Sequence, residues 1–206
     1  MTVTTRQRGA GKSPDPAGRP SARDRIFDAA RDLFYRQGIR AVGVDSIAQE
    51  AGATKMSLYR AFEGKDELVA ECLRESREEF WRWWDITVAP HADDPRGALL
   101  ALFEAQTRKQ KAQHDRGCPI ANAAIELTDD AHPAREVMLD YNREKRRRLR
   151  ELCRQLGARD ADVLADSLQL LMDGACVSRI TLGANGPASN LLRAAQALID
   201  TAPRES

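Results

Sequence analysis

Residues Ile47–Val69 read IAQEAGATKMSLYRAFEGKDELV. Ile47, Ala48 and Ala51 give a short helix one apolar face, with the small Ala48 placed where a second helix must cross closely. Gly52 supplies a residue able to adopt the left-handed backbone that a tight turn between helices demands. Thr54 is a good N-cap for a second helix, in which Leu58 and Phe62, four apart, turn inward together. Two short helices crossing through a glycine-containing turn form a helix-turn-helix. With Leu58 and Phe62 committed to the core, the other face carries Lys55, Ser57, Tyr59 and Arg60. A cation, a hydroxyl, a phenol and a guanidinium match what duplex DNA presents, namely phosphate oxygens and base edges in the major groove. The next helix opens with GKDELV, where Lys65 and free backbone N–H groups suit a phosphate.

Outward from this stretch, the composition sets bounds. The 206 residues include 32 Lys and Arg against 31 Asp and Glu, a net charge of +1, so any nucleic-acid surface has to be local. Hydrophobic residues make up 42%, enough for a core, and no run approaches the roughly 18 apolar residues of a membrane helix. The N-terminal residues lack the apolar core of a signal peptide, and Cys72, Cys118, Cys153 and Cys176 form no CxxC pair. Reduced thiols in a cytoplasmic protein with no membrane association are the expectation. Residues 1–20, rich in Gly, Pro and charge, read as a disordered basic tail.

The rest reads as helix upon helix. Ser21 caps a helix with Ile26, Phe27, Ala30, Leu33 and Phe34 on one face, ending at Gly38. Short helices over about 45–51 and 55–61 precede a longer one from about 65 towards Pro90. Asp93-Asp94-Pro95 opens a helix to about Gln113, and RGCPIANAAIEL forms a short one. Pro133 starts a helix reaching Leu156-Gly157, Asp160 opens the next, ending near Gly183, and Pro187 starts the last. The expected fold is all-α: a helix-turn-helix domain over 21–65 and a helical bundle over 66–206.

Across Arg25–Val69 the chain resembles the DNA-binding domain of the TetR/AcrR family of one-component transcriptional regulators. The resemblance rests on the helix ending in Phe34 and Gly38, on Val44-Asp45, Ile47-Ala48 and Ala51-Gly52, then on Leu58-Tyr59, Phe62, Lys65 and Leu68. It implies that Tyr59 and Lys65 touch phosphate, and that Thr54, Lys55 and Ser57 cap the helix or read bases. Arg60 joins that face, and Met56, in place of a frequent Gly, joins the bases' readers. Gly43 stands where the family usually has a Ser or Thr cap, and Ala61 where it usually has an aromatic residue or His. The resemblance further implies a homodimer on a palindromic operator, most simply a repressor, with a small-molecule ligand bound in the C-terminal bundle. An activator, or a regulator without an inducer, is the alternative.

For dimerisation, the last two helices offer Leu164, Leu168, Leu171 and Ala175 beside Gly174 and Ser178, then Leu191, Leu192, Ala195, Leu198 and Ile199. The same stripes would also serve packing within one chain. For the ligand, GCPIANAAIEL is apolar nearly all round except Asn122 and Glu126, which share a face. Trp81, Trp84 and Phe103 are the expected aromatic walls, and Cys118 the residue leading in; subsets of the family carry a similar Gly-Cys segment. The bland alternative makes the tryptophans core and Glu126 solvated. Arg116 beside Cys118 suits a thiol sensor, but a buried apolar cysteine is commoner. His114 and Cys118, one turn apart, are too few for a metal site. The basic run REKRRRLRE, Arg143–Glu151, reads as a solvated helix face. No cofactor is expected. With three histidines, no phosphate loop and no Ser-His-Asp set, nothing points to an enzyme. A helical interaction module without sequence-specific DNA binding is the remaining class.

Overall fold

A computed structural model describes residues 20–109, 116–183 and 185–204, and the regular elements of these residues are all helices, apart from one isolated β-bridge between Ala158 and Arg204. The basic tail and His114 expected from the sequence lie outside the described residues. The helices are α1 Ala22–Gln37, α2 Val44–Glu50, α3 Lys55–Ala61, α4 Lys65–Val88, α5 Pro95–Lys109, α6 Pro119–Glu126, α7 Ala134–Gln155, α8 Ala161–Leu182 and α9 Leu191–Thr201. Single 3-10 turns follow α4 at Ala89–His91 and precede α9 at Pro187–Asn190.

Local chemistry sets these boundaries. Ser21 and Asp24 form a reciprocal capping box at the start of α1, the Ser21 hydroxyl accepting from the Asp24 N–H at 3.2 Å. Asp94 accepts from the Gly97 N–H at 2.8 Å to begin α5, and Asp160 accepts from the Val163 N–H at 3.2 Å to begin α8. Gly43, by contrast, gives α2 no side-chain cap, as its departure from the family pattern implied. Proline leads the last segment into a 3-10 turn before the α-helix proper.

The chain forms two compact units, the first ending at Cys72 and the second beginning at Leu73. The division falls within α4, later than the sequence boundary at 65/66, because Leu68, Val69 and Cys72 are buried residues of the first unit. That unit packs Ile26, Ala30 and Leu33 of α1 with Ile47 of α2 and Leu58 of α3. In the second unit α5, α7, α8 and α9 share a core that includes Leu99, Leu102, Leu149, Leu168 and Leu191.

One expectation is corrected here. Leu164, Leu168 and Ala175 of α8, and Leu191, Ala195 and Ile199 of α9, are buried in this unit's own core rather than offered to a second chain. α8 needs an inward face for α7 and α9, and this stripe supplies it. Among the apolar residues that α8 exposes, Val163, Leu170 and Val177 stand seven apart and therefore on one face, 60%, 73% and 52% exposed, and Ile180 and Leu182 near its end are exposed as well. Leu198 of α9 is also exposed.

Candidate functional site

α2 and α3 are joined by a turn in which Gly52 sits at φ +57°, the left-handed region where a side chain is strained. The Ala53 N–H returns to the Ala48 carbonyl at 2.9 Å and the Gly52 N–H to Gln49 at 3.1 Å, closing the turn. Arg25 of α1 donates from Nε to the Ala51 carbonyl at 3.1 Å, satisfying an orphan acceptor at the end of α2. Leu58 and Phe62 are buried, and the Arg23 guanidinium covers the Phe62 ring at 4.6 Å. Helix α3 is thereby locked by its inner face.

Its other face is exposed: Lys55, Met56, Tyr59 and Arg60 all reach solvent, Met56 at 61%. Thr54 caps α3, accepting from the Ser57 N–H at 3.1 Å, and its hydroxyl lies 2.9 Å from that of Ser57. Ser57 therefore belongs as much to the cap as to the exposed face. Lys55 reaches back to Asp45 of α2 at 3.1 Å, and that hydrogen bond pushes the ammonium's pKa up. Lys65, at the start of α4, is half-buried with its ammonium 6.0 Å from the Phe34 ring centre. Asp66 and Glu67 share its first turn, so the positive helix end is partly answered within the helix itself.

The second unit holds a partly open cavity of about 150 Å³. Phe80 and Trp83 of α4, Ile120 of α6, Tyr141 of α7 and Met172 of α8 give it apolar and aromatic walls. Phe80 meets Tyr141 edge-on with ring centres 4.9 Å apart. Burial drives the Tyr141 phenol's pKa well above its ordinary value, with the Cys118 thiol adding to it; Cys118 Sγ lies 4.0 Å from that hydroxyl. Gly117 stands at φ +79°, and a Cβ there would meet Ile180 Cδ1 at 3.1 Å. The Gly-Cys segment thus carries its backbone close against α8, and Cys118 joins the cavity wall.

Of the six residues expected at a ligand site, only Cys118 lines this cavity. Trp84 and Phe103 are corrected to core: both are buried among the α5, α7 and α8 residues. Trp81 stacks under the Arg148 guanidinium at 4.4 Å. Asn122 donates to the Arg116 carbonyl at 2.8 Å, fastening the entry to α6, and Glu126 is half-buried at the end of that helix, off the cavity.

The polar lining residues Ser76, Glu79, Gln106, Lys145 and Asp173 escaped the sequence reading, and two of them, Lys145 and Gln106, are buried. Lys145, from the basic run, is 2% exposed; its ammonium bonds the Asp173 carboxylate at 2.6 Å and lies 5.0 Å from the Tyr141 ring centre. Gln106 of α5 is also buried, donating to the Met172 carbonyl at 2.9 Å. The signals were faint: Lys145 falls four after Tyr141 on the apolar side of its helix, and Gln106 four after Leu102. Among the described residues, no group of three or more His, Cys, Asp or Glu is placed to hold a metal ion, and no helix is long and apolar enough to cross a membrane.

A helix-turn-helix with a locked inner face and an exposed polar second helix, attached to a separate all-α unit, defines a helix-turn-helix DNA-binding protein. The family described as "Bacterial regulatory proteins, tetR family" matches residues 26–72. A solved structure of a TetR transcriptional regulator from Streptomyces avermitilis superposes with a TM-score of 0.75 at 34% identity, over 90% of this chain and 100% of that one. The HTH-type transcriptional regulator LmrA of Bacillus subtilis is 28% identical over 141 residues, 68% of this chain and 75% of its own. The HTH-type transcriptional repressor KstR2 of Rhodococcus jostii is 33% identical over 100 residues, 48% of each chain. The chain belongs to the TetR family of DNA-binding transcriptional regulators.

Proposed function

We propose that the protein is a homodimeric repressor that leaves a palindromic operator when a small molecule enters the cavity of its second unit. The observation that carries this reading is α4. Its first turn bears Lys65, beside the helix-turn-helix, and the same helix supplies Phe80 and Trp83 to the cavity wall. A ligand that repositions those aromatic side chains acts on the helix that also carries the phosphate clamp. Release requires the ligand to bind the DNA-incompetent state better than the competent one. Repression accords with the name of the relative KstR2. Thr54, Lys55, Met56, Ser57, Tyr59, Arg60 and Lys65 form the proposed DNA surface, Tyr59 and Lys65 on phosphate and Lys55, Met56 and Ser57 nearest the bases.

Selection of bound duplexes from a random pool tests the reading. The expected product is a palindrome with half-sites about 10 base pairs apart, or a multiple, as two-fold symmetry dictates. An enriched site without symmetry would overturn the dimeric part, and no enrichment at all the repressor itself. On the selected site, Tyr59→Ala should lower affinity for every sequence alike, and Lys65→Ala should in addition flatten the salt dependence by about one unit of slope.

A further inference from the structure

The size, walls and polar atoms of the cavity specify what fits it, given the proposal that a small molecule binds there. Its volume, about 150 Å³, matches an engineered apolar cavity of about 150 Å³ that takes up benzene. One six-membered ring is therefore the natural core of an occupant, held against Phe80, Trp83 and Tyr141.

Two buried side chains fix the polar part. The Gln106 amide nitrogen is committed to the Met172 carbonyl, so turning the amide over would set oxygen against oxygen. That leaves Oε1 as an acceptor, buried and without a hydrogen-bond partner among the described residues. Such an atom raises the free energy of the empty site and favours an occupant that donates a hydrogen bond to it. Lys145 offers the complement. Its ammonium has three donors and the Asp173 carboxylate oxygen takes one. Lys145 and Asp173 balance each other, and Glu79, the remaining charged lining residue, is exposed to solvent, so a charged occupant finds no buried counter-ion left to answer it.

We infer that the cavity takes a neutral, single-ring phenol, whose hydroxyl donates to Gln106 Oε1 and accepts from the Lys145 ammonium. A hydroxyl on a ring does both with one atom, which fits the volume; an alkylamine or a carboxylate brings a charge, an arylamine nitrogen is a poor acceptor for Lys145, and a hydrocarbon leaves the acceptor orphaned.

Calorimetric titration of the full chain with p-cresol and with p-xylene, which replaces the hydroxyl by a methyl group, tests this without any mutation. The expected result is that p-cresol binds about tenfold more tightly, ~1.4 kcal/mol. Gln106→Met should bring the two within about threefold of each other. Its retained p-xylene binding reports that the variant is folded. Equal or tighter binding of p-xylene to the unaltered chain, or binding of neither, overturns the inference, as does an undiminished preference in a Gln106→Met protein that still binds p-xylene. Operator binding is measured separately. Tight p-cresol binding that leaves DNA affinity unchanged supports the ligand class while removing the proposed induction. Release of DNA by some other molecule, with no p-cresol bound, keeps induction and rejects the phenol.

Discussion

Lys55 is the residue whose surroundings bear most directly on DNA recognition, because its ammonium is held by Asp45 before any DNA arrives. Both groups are exposed, so the pair contributes little to stability; its effect is on where the cation points and on the local charge. DNA must draw Lys55 away from a carboxylate that itself repels phosphate. Asp45→Asn should therefore raise affinity for the selected operator several-fold at low salt, the gain shrinking as salt screens the repulsion. Fluorescence anisotropy across a salt series checks this, and unchanged or weaker binding would mean that the pair orients Lys55 for DNA. The thiols give a second residue-scale prediction. Burial pushes Cys72 and Cys153 up to about 12, whereas Cys118 and Cys176 are half-buried at the cavity. A thiol raised in the folded state favours folding below the unfolded value of about 8.5. That contribution is lost as pH climbs towards about 12, so stability should decline on the alkaline side from about pH 9. At pH 8 a thiol reagent should find Cys118 and Cys176 in the native protein, and Cys72 and Cys153 only after denaturation. Simultaneous reaction of all four would contradict the burial argument.

At the scale of elements, α7 shows what a charge pattern hides. Arg147 and Arg148 share Glu144, Arg148 also bonds Asp85 of α4, and Arg146 forms a two-pronged pair with Asp166 of α8. Arg147 and Arg148 hold the Glu144 carboxyl at about 2, below its ordinary 4.5. Because that value is depressed on folding, the contribution is complete above about pH 4.5 and is lost as pH falls towards 2. Glu144→Gln should cost under ~1 kcal/mol at pH 7, most of its charge being wet. It should leave DNA affinity unchanged, since these arginines already have carboxylate partners. Chemical denaturation and anisotropy read the two effects; a marked change in DNA affinity would give α7 a role at the operator. The solvated reading of this run thus fits Arg143, Arg146 and Arg147, fits less well the half-buried Arg148 and Arg150, and fails for Lys145, one residue away from Arg146 and almost wholly buried. Helix boundaries were legible in the sequence because caps and prolines act locally: Ser21, Asp94 and Asp160 each mark a start. Which side of a helix turns inward is decided by its neighbours. FWRWW puts its four aromatic residues on one broad face of α4, so nothing local distinguishes Phe80 and Trp83, on the cavity, from Trp84 in the core. The helix-turn-helix was legible because Gly52, Thr54, Leu58 and Phe62 each answer a short-range demand.

For the whole molecule, the question is what covers the outer face of α8. Its inner stripe is spent on its own chain, yet Val163, Leu170 and Val177 recur every seven residues on the opposite side, with Gly174 exposed between the last two. A seven-residue apolar repeat on an exposed helix face is the geometry that a second helix packs against at a shallow angle. We assign this face to the interface of the proposed dimer, packed on its copy about a two-fold axis, where Leu170, the middle of the three, falls closest to its own symmetry mate. Leu170→Lys is then the decisive substitution. Leu170 is 73% exposed in the single chain, so folding alone gives no reason for a large penalty, about 0.5 kcal/mol at most. Across a two-fold interface the same change introduces two ammonium groups close together and removed from water, and the nearest carboxylates on α8, Asp166 and Asp173, already answer Arg146 and Lys145. Light scattering should therefore report half the unaltered protein's mass at concentrations where the latter is dimeric, with an unchanged helical spectrum. A monomer binds one half-site at a time and loses the gain from linked binding, so affinity for the full palindrome should fall by about a hundredfold. Affinity for an isolated half-site should stay within about twofold, since α3 is untouched. A Leu170→Lys protein that remains dimeric would move the interface off this face of α8.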